Sequence, residues 1–176
     1  ASQLLRDARI TLIYEGTNGI QALDLVGRKL AMNGMRPIMS FFAELDAFVA
    51  EGGGESEQAF ITAVAACKAQ LEEATNWLVE NGLKNFDHAG AASHDYLQLF
   101  GLTCLTYMWA KMAKVSAAKI AAGASDPIHA HNLKTRPYFV QRLAPDAPMP
   151  LATFKTAPAA MMALTAADFC HRAARA

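Results

Sequence analysis

Cysteine is scarce in this chain. Cys67, Cys104 and Cys170 are odd in number and far apart, and each falls in a helical stretch. No pair has the Cys-x-x-Cys spacing of structural zinc. They read as reduced, buried small residues of a cytoplasmic protein. Net charge is missing too, since 16 basic residues cancel 16 acidic ones and neither sign forms a block. That removes the basic footprint of a nucleic-acid binder. No apolar run reaches the ~18–20 residues of a membrane span. The N-terminus lacks the charged and apolar regions of a signal peptide. There is no initiator methionine, and Ala1 to Ala8 reads as starting inside a helix, as a piece cut from a longer chain would. Persistent strand alternation, internal repeats and low-complexity tracts are absent.

What the chain has is apolar residues at helical spacing. They make up 53% of the composition, enough to bury a real core. Asn33-Gly34 is a helix stop, and Pro37 suits the start of the next helix. From Pro37 to about Ala50, Ile38, Met39, Phe41, Phe42, Leu45 and Phe48 form an amphipathic stripe. Gly52-Gly53-Gly54 breaks it as a flexible joint. These glycines lack the context of a phosphate-binding loop. A long helix is expected from about Ser56 to Asn81, with Gly82 capping its end. Its Glu72-Glu73 pair reads as a solvated face, because adjacent helical residues do not point at one spot. From about His88 to Ala122 the pattern is apolar almost all round, as in a central bundle helix ended by Gly123. Asp126-Pro127 opens another helix to about Leu143, with a kink or restart at Pro137. A last helix is expected from about Thr153 to Phe169, followed by a frayed tail. The fold expected is all-α, an antiparallel four- or five-helix bundle.

Several reactive-looking groups dissolve on inspection. His129 and His131 are two apart and diverge on a helix. Asp126-x-x-His129 resembles half of a di-iron motif, but its Glu-x-x-His partner is missing. Ser93-His94-Asp95 has triad residue types, yet consecutive residues cannot form a triad. His94-Asp95 is a candidate cap for the central helix. Trp77, Trp109 and the methionines read as core.

One stretch is different. Arg6 to Leu30 centres on Ile13-Tyr14-Glu15-Gly16-Thr17-Asn18-Gly19-Ile20-Gln21. Glu15 is a single carboxylate in an apolar run. Gly16 permits close approach of another group. Thr17 can cap a helix whose stripe begins at Ile20. The helix start favours the Glu15 anion by ~0.3–1 kcal/mol. Burial beside Ile13, Tyr14 and an apolar ligand would instead raise its pKa, by up to ~3–5 units when complete. In a dry site desolvation wins, and Glu15 becomes a base suited to neutral pH. In a wet one it is an ordinary surface carboxylate.

Tyr14-Glu15-Gly16-Thr17, flanked by Arg6-Asp7-Ala8-Arg9-Ile10 and Ile20-Gln21, resembles the C-terminal signature of the acyl-CoA dehydrogenases. The later chain is similar to the extra helical domain of the longer bacterial members, a group that includes enzymes acting on 3-methylmercaptopropionyl-CoA. That similarity rests on Tyr96-Leu97-Gln98-Leu99-Phe100-Gly101, on Tyr138 to Pro145, and on the closing Ala-Met-rich helix. Asn18 stands where many members have Ser, and Ala22 where many have Arg. These departures mark a divergent branch.

The resemblance implies FAD-dependent α,β-desaturation of an acyl-CoA thioester. Glu15 would take the α-proton while the β-hydrogen leaves as hydride to FAD. Tyr14 and Gly16 would line the substrate site, and Thr17, Asn18 and Gly19 would touch FAD. It further implies an electron-transferring flavoprotein as acceptor and a homo-oligomer. Residues 1–35 would end the catalytic helical domain, and 36–176 would form the extra bundle. This chain alone is then expected neither to hold FAD tightly nor to catalyse. An alternative reading is a helical bundle whose task is assembly. A weaker one is a metal- or ligand-binding bundle.

Overall fold

The computed structural model describes residues 2–12, 17–54, 57–82 and 84–138, together with residues 154, 155, 158, 163, 164 and 168. Within them every regular element is helical. Helix α1 (Ser2–Arg9) tightens into one 3-10 turn, Ile10–Leu12. Helix α2 (Asn18–Asp24) widens into a π turn, Leu25–Lys29. Asn33, Gly34 and Met35 then take positive φ of 53°, 64° and 65°. The Asn-Gly stop is where the sequence puts it; the left-handed Met35 is not foreseeable from residue type. Helix α3 (Arg36–Glu51) follows, with Pro37 in its first turn, where no backbone donor is needed. Gly52, at φ 64°, ends it.

Helix α4 (Gln58–Trp77) gives way to a second π turn, Leu78–Gly82. Gly82 is not a left-handed cap as expected. It is buried, and a Cβ there would come within 3.2 Å of the Ala89 Cβ. Close approach, not φ, explains the glycine. Helix α5 (Phe86–Ala121) is the longest element. Its cap is Asn85, whose side chain accepts from the Asp87 N–H at 2.9 Å. This corrects the expectation for His94-Asp95, which lie inside the helix. Gly123, at φ 83°, turns the chain. Helix α6 (Pro127–Tyr138) starts where Asp126 accepts from the Ile128 N–H at 2.9 Å. It stays helical through Pro137, so no restart occurs there. The expected extension to Leu143 and most of the final helix lie outside the described residues.

The register shows an up-down-up bundle. Tyr107 donates to Glu44 at 2.7 Å and Lys114 to Glu51 at 2.7 Å, so α3 and α5 run parallel. The pairs Thr75–Tyr96 and Cys67–Thr106 set α4 antiparallel to α5. Ser116 meets His129 and Asn132, which brings α6 back along α5.

Two apolar clusters fill the interior. One joins Leu30, Ile38, Phe42, Leu71, Leu78, Tyr96, Leu99 and Phe154. The other joins Leu45, Phe48, Phe60, Ile61, Val64 and Tyr107. Leu45 and Leu71 are wholly buried, each contributing about 1.5–3 kcal/mol. Leu30 thus ties the segment after α2 to the bundle. The reading of the methionines as core needs correction, because Met32, Met39, Met108 and Met112 are exposed. Nor is α5 buried all round. Tyr96, Leu99, Thr103, Thr106 and Ala110 face inward, while Leu105, Met108, Met112 and Val115 face out. No described helix is long and apolar enough to cross a membrane.

Candidate functional site

Tyr14, Glu15 and Gly16, with Ile13, lie outside the described residues. Their flanks are described, and both are exposed. Residues 2–11 have no buried member, and Leu4, Leu5 and Ile10 lie open to solvent. Local bonds hold this arm: Gln3 donates to Asp7 at 2.8 Å, and Thr11 to the Ala8 carbonyl at 2.7 Å. On the other side Thr17, Asn18, Gly19, Ile20 and Gln21 are exposed, and burial begins only at Ala22. The described residues on both sides of this stretch, 2–11 and 17–21, are thus exposed.

Thr17 occupies the N-cap of α2 as expected, but its side chain makes no cap hydrogen bond. The Gln21 N–H closes the first turn on the Thr17 carbonyl at 2.8 Å. A Cβ at Gly19 would meet nothing within 4 Å. Thr17, Asn18 and Gly19 are therefore brought together on one open helix start. A hydroxyl, a carboxamide and bare backbone offer donors and acceptors to an incoming polar group. That donor set fits part of a flavin contact and no more, since no described residue supplies a flavin-enclosing wall here.

Behind this start, Asp24 holds Arg28 at 2.6 Å and Lys29 at 3.2 Å. The Arg28 hydrogen bond keeps the Asp24 carboxyl below its ordinary pKa. Both cations sit on the second half of the α2 segment, where basic charge suits a helix end.

Two further features were missed in the sequence. The first is an apolar cavity of about 130 Å³ lined by Val26, Gly27, Leu30, Leu78, Val79, Gly82, Phe86 and Ala89, among others. It opens where the two π turns meet the start of α5. Widened turns often mark functional sites, and each here contains a glycine. The cavity offers apolar volume and no reactive group. The second is a polar groove between α3 and α5. Glu44 accepts from Tyr107, and Lys111 lies 3.5 Å from the same carboxylate. Burial first, and then Glu44, pushes the Tyr107 hydroxyl up. The Tyr107 bond in turn holds Glu44 down. Its charges are matched within the groove, so it reads as a latch between helices.

The remaining candidates are structural. Cys67 and Cys104 are free, and burial pushes both thiols up, which makes them poor nucleophiles. Cys170 lies outside the described residues. Glu72 pairs with Lys68 and Glu73 with Lys155, as a solvated face would. His129 approaches Ser116 at 3.5 Å. Among the described residues no three His, Cys, Asp or Glu side chains come together to hold a metal.

Residues 41–165 match the family described as acetyl-CoA dehydrogenase C-terminal like. The chain is 30% identical over 144 residues to a 3-methylmercaptopropionyl-CoA dehydrogenase of Ruegeria pomeroyi, covering 81% of this chain and 24% of that protein. It is 26% identical over 130 residues to the broad-specificity linear acyl-CoA dehydrogenase FadE5 of Mycobacterium tuberculosis, covering 70% and 21% respectively. The chain thus spans less than a quarter of the length of either relative. With its helical fold and a family match over most of its length, this chain belongs to the acyl-CoA dehydrogenases, by way of their C-terminal helical region.

Proposed function

We propose that this chain is the C-terminal part of an FAD-dependent enzyme that desaturates an acyl-CoA thioester between its α and β carbons. The family match carries the reading. The Tyr14-Glu15-Gly16-Thr17 signature ahead of the matched region supports it. Glu15 is the base. Its carboxylate takes the α-proton, and the electrons left behind form the α,β double bond as the β-hydrogen departs with its pair. FAD, when bound, supplies the two-electron acceptor for that hydrogen. Tyr14 and Gly16 line the thioester site. Thr17, and with it Asn18 and Gly19, bind the cofactor from the open start of α2.

The exposure of both flanks gives Glu15 a conditional role. In water it is an ordinary carboxylate. Covered by acyl chain and by the remaining protein, it loses solvation, and its basicity rises into the range useful near neutral pH. The 176-residue chain by itself therefore neither retains flavin nor turns over. We place the boundary between catalytic helical domain and extra bundle near residue 35, ahead of the start of the family match. Electrons pass on to an electron-transferring flavoprotein.

The test uses an acyl-CoA thioester blocked at its β carbon, mixed in heavy water with a polypeptide that also carries the flavin-binding part. Wild type is expected to exchange the α-proton, and Glu15→Gln to lose that exchange by about 10²–10⁴-fold. Equal exchange in both would remove Glu15 from the role of base.

A further inference from the structure

Three departures from ordinary helix geometry converge on one cavity. The π turn Leu25–Lys29 supplies Val26 and Gly27 to its wall, and the π turn Leu78–Gly82 supplies Leu78, Val79 and Gly82. Met35 adds to the wall from a left-handed φ of 65°, a costly conformation for a residue with a Cβ. π turns are rare and recur at functional sites, and the two described here share one wall. Backbone strain of the Met35 kind clusters at ligand clamps.

The chemistry of the wall selects the ligand. Every residue lining the cavity is apolar or glycine. No side chain there can pair with a charge or satisfy a hydrogen-bonding group, and burying such a group unpaired is costly. Arg28 and Lys29, which follow Gly27, are held by Asp24. Anions, sugars and nucleotides are thereby disfavoured. The volume of about 130 Å³ is close to the ~150 Å³ of an apolar cavity that stays dry and takes up one benzene. Phe86 stands on the rim, 82% exposed, more than any other large apolar side chain among the described residues. A ring in that position gains a contact once a ligand enters.

We propose that this cavity binds one small uncharged molecule of a single ring or a few carbons, with Phe86 covering it. Its walls come from two parts of the chain. One follows α2, and the other joins α4 to α5. A ligand held between them fastens the α2 segment to the bundle. The site stands independently of the role given to Glu15.

Toluene is the probe, and benzoate, a similar ring carrying a carboxylate, is the control. Burial of about six carbons corresponds to a Kd on the order of 0.1–1 mM. Near-saturating toluene is expected to raise the melting temperature of the 176-residue chain by about 3 °C, and benzoate to leave it unchanged. Methyl NMR then locates the ligand. Signals of Leu30, Leu78 and Val79 should move, and those of Leu45 and Ile61 in the second cluster should not. Gly27→Leu adds a side chain where a Cβ would meet nothing within 4 Å, so it fills the cavity without a clash. It should weaken toluene binding roughly tenfold. Gly101→Leu, equally open but away from the cavity, should not. Toluene should also bind a polypeptide that carries the flavin-binding part together with this chain. Unmoved signals at Leu30, Leu78 and Val79, an equal effect of benzoate, or undiminished binding in Gly27→Leu overturns the proposal. So does loss of binding in the longer polypeptide, where another part of the protein would then fill the cavity.

Discussion

Tyr96 shows how one side chain links sequence, core and pH. It is wholly buried, and its hydroxyl lies 2.8 Å from that of Thr75, which donates to the Leu71 carbonyl at 2.7 Å. Burial pushes the phenol up to about 12. In the unfolded chain it ionises near pH ~10. Below that pH both states are neutral, and nothing is lost. Above it the unfolded state gives up a proton that the folded state keeps, so stability falls as pH rises from about 10 to about 12, by up to about 3 kcal/mol. Tyr96→Phe should cost about 0.5–1.5 kcal/mol at neutral pH and remove most of that alkaline loss. Urea midpoints at two pH values for both proteins measure it; an unchanged alkaline slope in the variant would sink the assignment. Glu15, the proposed base, lies outside the described residues.

At the scale of the element, the caps decide. Asn85 satisfies a first-turn donor of α5, and His94 does not. Asn85→Ala should cost about 1 kcal/mol, read as a lower melting temperature, whereas His94→Ala should change little. A cap effect at His94 instead would restore the discarded assignment. Gly34→Ala should destabilise by about 1 kcal/mol, because a φ of 64° strains a residue with a Cβ more than glycine. Gly82→Ala should destabilise as well, through the Ala89 contact, and equal thermal stability would refute that packing.

These same elements show what the sequence made legible. The spacing of Ile38, Phe42 and Leu45 located α3, and Asn33-Gly34 and Gly52 located its ends, because local backbone chemistry governs both. The π turns at Leu25–Lys29 and Leu78–Gly82 were not legible. They depend on how neighbouring helices meet, and no residue type encodes that. The outward half of α5 was read as core for a related reason. Its residues are apolar, and hydrophobicity does not say whether the partner lies inside the chain. Of the candidate site, the open helix start at Thr17 was legible from its threonine and glycines. That the threonine side chain makes no cap hydrogen bond was not.

For the whole molecule, the family relationship sets the frame. The described bundle supplies two packed clusters and a latch between α3 and α5. It supplies no described wall for a flavin. The chain should therefore purify without stoichiometric flavin, as absorbance between 350 and 500 nm would register on the order of zero; a yellow protein with one flavin per chain would contradict the division of labour argued above. Leu30 ties the segment after α2 to the bundle, and in the proposed reading the remaining protein dries Glu15. The most direct test of that account is steady-state turnover of an acyl-CoA by a polypeptide containing both the flavin-binding part and this chain, with and without Glu15→Gln. The account predicts a fall of roughly 10²–10⁴-fold with flavin content and oligomeric state unchanged. Undiminished turnover in the variant would contradict it.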